Sequence, residues 1–594
     1  MSIPPLPRPK VSNGISSKIN QLYSQQPEEP LKITKQQQNE LNKKLKQSQN
    51  NGVPKKLLID PNPKLENLGQ KFDKSPRELN LDNSVKEAVV NIEIAEMKGR
   101  KSVKECVTIA RKAFSNGRSR SLAFRQTQLK GLLKFLENHK VEIEEALHKD
   151  LRKHKQETNT SEIEFVANDL RYTLIELKKW IGPEKPKKRI INSLDGVYVY
   201  NDPYGVVLIM GAWNYPILLT LGPLVGALAG GNVVIMKPSE LAPATNKLLA
   251  EVLTNYLDQE CFQVHQGGVQ ETTELLKQRF DYIFFTGSSK IGHIVYQAAA
   301  KHLTPCTLEL GGKCPLYIDD TVNMQKTAKR VLWGRMLNSG QTCVAPDYLL
   351  CTKQVQELFL KEAEKIINKF WGDDPTKSPY LSKIVTENHF KRLVEFIKGE
   401  QISLGGQVNS KELIIGPTIL TNVNPHSPIM EEEIFGPILP ILNVKDAQEA
   451  IDFINSREKP LASYVFSNNK KTQNLFLKQT SSGGVSINDT ISHIMTENLP
   501  FGGVGQSGLG NYHGKYGFDT FTHKKGVLVK DFSAISEMAL SLRYPPYSDQ
   551  KTQIINTILK KRKSLLKFEW LISISIFLLG MGLALVLQYY FNFI

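Results

Sequence analysis

A cysteine and a glutamate 34 positions apart are the residues of this chain best suited to covalent chemistry. Cys343 ends the run Asn338-Ser339-Gly340-Gln341-Thr342-Cys343, and Glu309 lies in Leu308-Glu309-Leu310-Gly311-Gly312-Lys313. A thiol can attack an electrophilic carbonyl carbon, and a carboxylate can activate the water that later releases the product. Because most cysteines and glutamates of a long chain are structural or solvated groups, the assignment depends on the neighbouring motifs.

Four other runs contain small, polar or aromatic residues, and the first three of them lie next to predicted strands. They are Gly211-Ala212-Trp213-Asn214-Tyr215-Pro216, Lys237-Pro238-Ser239-Glu240, Phe285-Thr286-Gly287-Ser288-Ser289-Lys290-Ile291-Gly292 and Glu433-Ile434-Phe435-Gly436-Pro437. A turn with Gly287 and Gly292 between a strand and a helix lets the backbone approach phosphates, which the helix N-terminus favours. Lys237 and Glu240 add a cation and an acceptor that suit ribose hydroxyls, so the runs predict a dinucleotide site.

The positive charge of the chain lies at its two ends. The formal net charge is +17, but residues 1–80 hold 14 Lys/Arg against 7 Asp/Glu, and residues 551–594 hold 6 against 1. The small excess left for the central part is typical of a solvated surface, so we expect no nucleic-acid partner. The 6 cysteines form no CxxC pair and no Cys/His cluster, which predicts free thiols, a reducing compartment and no metal site.

Helical and strand-like runs follow one another along the chain. A helical stretch from about residue 84 to residue 181 precedes a turn-like Leu194-Asp195-Gly196-Val197, which predicts a hairpin leading into Tyr198–Tyr200. The predicted strands are Val206–Met210, Val233–Met236, Tyr282–Phe285 and Cys306–Leu310, and the predicted helices are Pro243–Leu257, Ile291–His302, Gln354–Phe370, Val385–Lys398 and Ala447–Asn455. Alternation of this kind indicates an α/β fold with a parallel sheet and ligands at the strand ends.

Composition divides the chain into five predicted segments. Residues 1–83 are polar and basic, which predicts a disordered extension. Residues 84–308 are the predicted nucleotide-binding domain, with a bridging hairpin near residues 187–206, and residues 309–522 are the predicted catalytic domain. A basic connector at residues 523–568 and an apolar tail at residues 569–594 complete the organisation.

The tail predicts a membrane anchor. The last 25 residues, from Trp570 to Ile594, contain no charged side chain. A helix over Trp570–Leu587 rises about 27 Å, against a hydrocarbon core of about 30 Å. Five basic residues between Lys560 and Lys567 precede the run and none follows it, which places the body of the protein in the cytosol. We therefore expect a transmembrane tail anchor in the endoplasmic reticulum, the mitochondrial outer membrane or a lipid droplet; the alternative is a buried core helix.

The six motif runs, in identity and order, resemble the NAD(P)-dependent aldehyde dehydrogenase superfamily over about residues 88–525. The runs Cys343-Val344-Ala345-Pro346-Asp347-Tyr348, Pro500-Phe501-Gly502-Gly503-Val504-Gly505-Gln506-Ser507-Gly508 and Tyr512-His513-Gly514-Lys515, with the tail, are similar to its class 3, fatty aldehyde branch. The resemblance implies a Rossmann-like NAD(P)-binding domain, an α/β catalytic domain, a small bridging β-hairpin and a transmembrane helix. It also implies a homodimer, for which the Leu194–Tyr200 hairpin would supply a sheet-extending arm.

The resemblance gives the motif residues roles in aldehyde oxidation. Cys343 would be the nucleophile, Asn214 and the Cys343 N–H would stabilise the oxyanion, and Glu309 would be the base, with the acidic cluster Glu431–Glu433 as an alternative. Glu433 would bind the nicotinamide ribose and Phe435 would pack on the ring. The full set of implied cofactor residues is Trp213, Lys237, Glu240, Gly287, Ser288, Gly292, Glu433 and Phe435.

Cofactor and substrate are only partly determined by these residues. Lys237 suits either a ribose hydroxyl or a 2′-phosphate, so NAD is expected and NADP stays open. Long-chain aldehydes are the expected substrates because a membrane anchor would meet them in the bilayer; aromatic or medium-chain aldehydes are alternatives. A non-redox, thioester-forming acyltransferase that uses Cys343 is a further alternative. The neighbouring thiols Cys306 and Cys314 are expected to be structural because apolar burial raises the pKa of a thiol.

Overall fold

The computed structural model describes residues 101–188, 192 and 194–560, and residues 574, 575, 577–582 and 585 of the tail. The predicted extension at residues 1–83 and most of the predicted anchor lie outside the described residues. Within the described part of the chain, no helix combines the length and the apolar character that a membrane crossing requires.

Helices form the first described part of the chain. The helix α1 begins at a capping box in which Ser102 Oγ accepts a hydrogen bond from Glu105 N and the Glu105 carboxylate accepts one from Ser102 N, an arrangement that satisfies two free N–H groups. A π-helical turn, Asn159–Ile163, lies between the last two of these helices. The helices are α1 (Val103–Ser115), α2 (Leu122–Asn138), α3 (Lys140–Leu151), α4 (Lys155–Thr158) and α5 (Glu164–Ile181).

A six-stranded sheet follows, in the order β16-β6-β5-β2-β3-β4. All strands in it are parallel except β16. The strands β2, β3 and β5 are buried at every position, as expected for a parallel sheet covered by helices on both faces. Its strands are β2 (Val206–Met210), β3 (Val233–Lys237), β4 (Phe262–Val264), β5 (Tyr282–Thr286), β6 (Cys306–Glu309) and β16 (Gly508–Leu509); its helices are α6 (Leu218–Gly230), α7 (Pro243–Glu251), α8 (Val269–Leu276) and α9 (Ser289–Ala300).

The four strands predicted for this sheet are confirmed within one residue. Two further strands were not predicted, because β4 has three residues and β16 has two, too few to show a pattern. The predicted helix Pro243–Leu257 ends at Glu251 and continues as the 3₁₀ turn Leu253–Asn255.

A seven-stranded sheet has the order β15-β14-β7-β8-β13-β12-β9, with β9 antiparallel to β12. Its strands are β7 (Pro315–Ile318), β8 (Tyr348–Cys351), β9 (Gln401–Leu404), β12 (Thr418–Thr421), β13 (Ile438–Asn443), β14 (Ala462–Phe466) and β15 (Gly484–Ile487), while β10 (Val408–Asn409) pairs with β11 (Ile414–Ile415). Its helices are α10 (Met324–Met336), α11 (Lys353–Trp371), α12 (Glu387–Ile397), α13 (Pro428–Glu431), α14 (Ala447–Asn455) and α15 (Lys470–Gln479). One apolar core continues through both sheets and includes Ile209 and Leu349.

The chain returns to the first sheet after β15. The strand β16 pairs with β6, and the helix α16 (Gly514–Thr520) packs against α6. The strand β17 (Thr522–Val529) then spans the predicted boundary at residue 522 and occupies the start of the predicted basic connector. Helices α17 (Ala534–Leu540) and α18 (Asp549–Leu559) occupy the rest of the connector. The strand β17 was not predicted because the connector is rich in lysine and because most residues of this strand are exposed.

The predicted hairpin near residues 187–206 is described only in part, because residues 189–191 and 193 lie outside the described residues. The strand β1 (Gly196–Pro203) pairs antiparallel with β17, in continuous register from Gly196 opposite Val529 to Pro203 opposite Thr522. Its only nearby partner among the described residues is Glu184, through a single bridge to Val199. The turn-like residues Leu194–Val197 predicted a local hairpin. The strand that pairs with β1 is distant in sequence, so no local pattern predicts it.

Close packing of α6 against α16 yields a stability prediction. A Cβ on Gly226 would lie 2.8 Å from the Gly517 backbone, so we expect Gly226→Ala to reduce the free energy of unfolding by about 1–3 kcal/mol, the usual range for overpacking. Gly222→Ala in the same helix is the matched control, because its Cβ would make ordinary 3.6 Å contacts and alanine favours helix by about 0.5–1 kcal/mol. Urea denaturation measures both; equal stability of the two variants would contradict the close contact.

Candidate active site

Cys343 follows a turn with an unusual backbone. After α10 the 3₁₀ turn Leu337–Gly340 contains left-handed residues, with φ of 52° at Asn338, 52° at Ser339 and 73° at Gly340. Non-glycine residues in this region cost roughly 1–2 kcal/mol each, so such a turn persists only where surrounding contacts hold it. The turn leads the chain into the cavity, where Cys343 is half-buried.

Several hydrogen bonds hold this turn. Asn338 N donates to Glu157 Oε1 at 2.7 Å, and Asn338 Nδ2 donates to the Asn214 carbonyl at 2.8 Å. Ser339 Oγ donates to the Ser382 carbonyl at 2.6 Å. Gln341 Nε2 donates to the carbonyls of Asn338 and Lys383, while Gln341 Oε1 accepts from Val385 N. The backbone geometry is therefore determined by contacts with three other segments of the chain.

Asn214 lies against the same turn. It is 3% exposed, and its Nδ2 donates to the Gln341 carbonyl at 3.0 Å. Its own carbonyl accepts from Lys153 Nζ at 3.0 Å as well as from Asn338. The structure thus brings the Asn214 amide next to the residues that carry Cys343. Asn214 is therefore held both through its side chain and through its backbone carbonyl.

A buried ion pair contacts the backbone carbonyl of Asn214. Lys153 Nζ lies 2.5 Å from Glu162 Oε1, and both side chains are fully buried. Glu162 Oε2 also accepts from Ile217 N at 2.9 Å, at the start of α6, where free N–H groups attract an anion. Lys153 further lies 4.1 Å from the centroid of the Tyr215 ring. The sequence interpretation missed both residues, because neither belongs to a recognised motif.

Glu309 ends strand β6 beside the site. It is 3% exposed, and neither carboxylate oxygen has a hydrogen-bond partner within the protein. Burial raises the pKa of this carboxyl well above its usual range. Its charge raises the pKa of Cys343, which shows that the two groups share one electrostatic environment. An unpartnered buried carboxyl is costly unless a ligand or water meets it, so Glu309 is suited to chemistry.

Glu433 lies in the same environment. Its carboxylate packs over Gly311, where a Cβ would collide with Glu433 Oε2. Burial raises the pKa of Glu433 to about 8, and Asp347 adds to the rise. The neighbouring Glu431 and Glu432 are exposed. Of the predicted acidic cluster, only Glu433 therefore joins Glu309 near the thiol.

Two aromatic residues predicted for the cofactor site contact each other. The Trp213 and Phe435 rings lie 5.4 Å apart in an edge-to-face arrangement, and Trp213 also contacts His389 at 5.5 Å. Phe435 has a φ of 53°, a strained conformation for a bulky residue. Such strain is typical of side chains held in a particular direction for function.

The Cys343 thiol is not activated by its resting surroundings. Burial raises the pKa of Cys343 strongly, and the charges of Glu433 and Glu309 raise it further. The backbone N–H groups of Cys343 and Val344 act in the opposite direction. The thiolate is the nucleophilic form of a cysteine, so a reaction of this thiol would require a base, and Glu309 and Glu433 are the carboxyl groups whose charges act on it.

A buried charge cluster joins the loops that carry these groups. Asp347 accepts from Lys313 Nζ at 2.6 Å and from Arg335 Nη1 at 3.0 Å, and it also accepts from Ile434 N at 3.3 Å. Lys313 Nζ further donates to the carbonyls of Ile429 and Glu432. Burial lowers the pKa of both Lys313 and Arg335, and the Asp347 charge opposes that change. This Asp347 cluster fixes the loops bearing Glu309, Cys343 and Glu433 to one another.

The remaining predicted cofactor residues lie at the carboxyl ends of the parallel strands. Lys237 ends β3, and its Nζ lies 2.5 Å from Glu240 Oε2, whose side chain is exposed. Gly287 follows β5, and its N–H donates to the Glu309 carbonyl at 3.0 Å. Ser288 caps α9 by accepting from Ile291 N. Gly292 packs closely on Leu310, because a Cβ there would lie 2.7 Å from Leu310 Cδ2.

These residues fit a dinucleotide. Thr286 Oγ1 and both Glu309 oxygens are buried without a protein partner at the ends of adjacent strands β5 and β6. The ends of parallel strands are where α/β sheets bind nucleotides. The exposed Glu240 carboxylate and the α9 N-terminus add a hydroxyl acceptor and an anion site. The described residues contain no group of three or more His, Cys, Asp or Glu side chains placed to bind a metal ion.

Cys343 also lines a cavity of about 510 Å³. Its lining is dominated by apolar and aromatic side chains, and its few polar members include Glu157, Thr342 and Lys369. The apolar and aromatic lining residues are Phe165, Tyr215, Leu218, Leu219, Trp333, Met336, Leu337, Val344, Phe370, Trp371, Tyr380, Ile491, Ile494, Met495, Phe501 and Tyr512. The sequence interpretation missed this set because its members come from many segments and share no motif.

The other cysteines near the site do not face this cavity. Cys314 is fully buried, and its Sγ donates to the Cys343 carbonyl at 3.4 Å. Burial raises the pKa of Cys314 well above its usual range and that of Cys306 to about 12. Neither lines the cavity, in agreement with structural roles for both.

Comparison with known proteins gives consistent matches. The model of the "Aldehyde dehydrogenase family" matches residues 80–527. Aldehyde dehydrogenase family 3 member B1 of Bos taurus is 49% identical over 452 residues, which cover 76% of this chain and 96% of that protein. Aldehyde dehydrogenase family 3 member A2 of Mus musculus is 46% identical over 470 residues, 78% of this chain and 97% of that protein. The substrate-bound structure of Staphylococcus aureus AldH is 38% identical, with a TM-score of 0.75, and covers 78% of this chain and 100% of its own.

Proposed function

Because the chain belongs to the aldehyde dehydrogenase family and oxidises aldehydes with NAD or NADP, we propose that its substrates are long-chain aliphatic aldehydes, which it converts to fatty acids. The observation that carries the substrate class is the apolar cavity of about 510 Å³ that ends at Cys343. Cavities of this size hold ligands mainly through apolar contact, with a few polar groups fixing orientation. An alkyl chain meets those conditions and needs no charged partner.

We propose that Cys343 attacks the aldehyde carbon. The thiol proton passes to a nearby carboxyl, and the new carbon–sulfur bond turns the carbonyl oxygen into an oxyanion. The Asn214 amide and the Cys343 N–H would stabilise this charge, and loss of one such donor typically costs about 10²–10³ in rate. NAD or NADP, held by Lys237, Glu240, Gly287, Ser288 and the Trp213, Glu433 and Phe435 group, would supply the acceptor for the hydride that leaves the carbon.

Hydrolysis of the Cys343 thioester completes the proposed cycle. Water attacks the acyl carbon, the carbon–sulfur bond breaks, and the products are the fatty acid and the free thiol. We propose Glu309 as the base that takes the water proton, because its two oxygens are buried without protein partners. Glu433 is the competing candidate, since its charge has the larger influence on the pKa of Cys343.

Glu309→Gln should therefore stall the cycle after the redox step. We expect one equivalent of NADH to form rapidly from hexadecanal and steady turnover to fall by about 10²–10⁴, the usual range for loss of a general base. Stopped-flow absorbance measures the burst, and intact-protein mass detects the acyl group on Cys343. Glu431→Gln, at an exposed position of the same acidic cluster, is the control. If Glu433→Gln accumulates the acyl enzyme and Glu309→Gln does not, the base is Glu433. Unchanged turnover of Cys343→Ala would exclude the mechanism.

Two other activities compete with this proposal. A non-redox acyltransferase would form the same Cys343 thioester but would work without a dinucleotide, which the unpartnered Thr286 and Glu309 groups at the strand ends disfavour. Aromatic or medium-chain aldehydes would also enter an apolar cavity. Chain length distinguishes them from long-chain substrates.

We expect kcat/KM to rise with chain length from hexanal to hexadecanal. Each buried methylene contributes about 0.8 kcal/mol, or about a fourfold gain, until the cavity is filled. NADH formation by the protein lacking residues 569–594, measured below the solubility limit of each aldehyde, gives the series with either cofactor. A maximum at medium chain length, or a larger kcat/KM for benzaldehyde than for hexadecanal, would favour the alternatives.

We further propose that residues 569–594 anchor the enzyme in a membrane, with the catalytic part facing the cytosol. The uncharged run from Trp570 to Ile594 and the basic residues before it support this assignment. The membrane would be that of the endoplasmic reticulum, the outer mitochondrial membrane or a lipid droplet. We also propose a homodimer: the edge of β17 that faces away from β1 has no strand partner among the described residues, and this edge can extend a partner's sheet.

The anchor and the dimer share one experiment. The full chain should resist extraction from membranes by alkaline carbonate, and the chain ending at residue 568 should be released. Analytical ultracentrifugation of the released protein should give twice the monomer mass. A full chain extracted by carbonate would contradict the anchor, and a monomeric species would contradict the dimer.

A further inference from the structure

We propose that Glu157 is a positioning residue that holds the strained turn before Cys343 and makes the attack on the aldehyde depend on the charge of its carboxylate. The inference rests on the proposed nucleophilic role of Cys343. Glu157 faces the cavity on one side and the turn on the other. No step of the proposed reaction otherwise uses it.

The local backbone explains how Glu157 reaches the turn. Glu157 belongs to α4, directly before the π-helical turn Asn159–Ile163. Hydrogen bonds from i to i+5 in a π-helix alter the direction of the following side chains, and such turns occur often at functional sites. Glu157 and Glu162 lie on either side of this change: Glu157 binds the turn before Cys343, while Glu162 pairs with the lysine that binds Asn214. One ten-residue segment therefore contacts both Asn214 and the turn that precedes Cys343.

The contact with the turn is the shortest hydrogen bond made by Asn338. Its N–H donates to Glu157 Oε1 at 2.7 Å, at a residue whose φ is 52°. A hydrogen bond to a charged acceptor is roughly twice as strong as one to a neutral acceptor. That difference is similar in size to the cost of one left-handed residue. The charge of Glu157 is therefore large enough to alter how firmly the turn is held.

The surroundings allow this charge to change near neutral pH. Burial raises the pKa of Glu157 to about 7, and Glu162 adds to the rise, while Lys153 and the Asn338 N–H lower it. Tyr215 lies close enough for Glu157 to raise its pKa. The other titratable groups on the cavity wall are His154, Lys369, Tyr380, Tyr512, His513 and Cys343. Because ionisation strengthens the bond to Asn338, the turn should be held more firmly as the pH rises through this range.

Two substitutions separate the charge from the hydrogen bond. Glu157→Gln keeps an acceptor oxygen without the charge, so it should match the wild-type kcat below about pH 6 and fall about two- to thirtyfold short of it above pH 8, the range expected when a charged hydrogen bond is replaced by a neutral one. Glu157→Ala removes the acceptor and should be slow at every pH. KM for an aliphatic aldehyde should change little in the Gln variant, because an apolar chain gains nothing from the carboxylate.

The test is the pH profile of kcat and KM for the wild-type enzyme, both variants and Glu164→Gln. Glu164 follows the same π-helical turn but is exposed and pairs with Arg171, so its variant should behave as wild type. The inference is overturned if Glu157→Gln retains the wild-type profile, or if only its KM changes. Should the Ala variant fail to fold, the Gln variant still decides. Activity that survives Cys343→Ala would instead refute the proposed mechanism itself, which keeps the two failures distinct.

Discussion

The active-site region depends on the charge balance around Asp347. One buried carboxylate meets two buried cations, Lys313 and Arg335, and the remaining hydrogen-bonding capacity of Lys313 is met by carbonyls of the Glu433 loop. A cation removed from water is very unfavourable unless it is paired with an anion. The three loops that bear the reactive groups therefore cannot separate without exposing an unpaired charge, and their relative positions are fixed before any ligand arrives.

Strain is the second organising feature, and it lies on the same loops. Asn338, Ser339 and Phe435 all have left-handed backbones, which the chain would leave if the surrounding contacts were weaker. The Asp347 cluster and the hydrogen bonds to Asn338 and Gln341 supply those contacts. Binding groups placed this rigidly lose little freedom when substrate enters, which favours reaction over rearrangement.

The sequence predicted the parts of this molecule that are local. Continuous apolar runs predicted the buried parallel strands β2, β3 and β5, and motif runs predicted that Glu309, Cys343 and Asn214 belong together. It could not predict the partner of β1, because pairing between distant strands leaves no trace in either segment. The sequence interpretation missed Glu157, Lys153 and Glu162 for a similar reason. A charged residue in a polar segment resembles a solvated one until the fold shows which residues cover it.

The pairing of β1 with β17 has a consequence for the time course of folding. Pro203 and Thr522 are paired in the two-stranded sheet of β1 and β17. Their positions are 319 residues apart, and synthesis of that length takes roughly 15–65 s at common translation rates. During that interval β1 exposes an unpaired edge, the kind of surface that recruits strands from other chains. A nascent chain of this protein would therefore need shielding of that edge until the last tenth of its length emerges, and translation speed would influence how much of it reaches the native state.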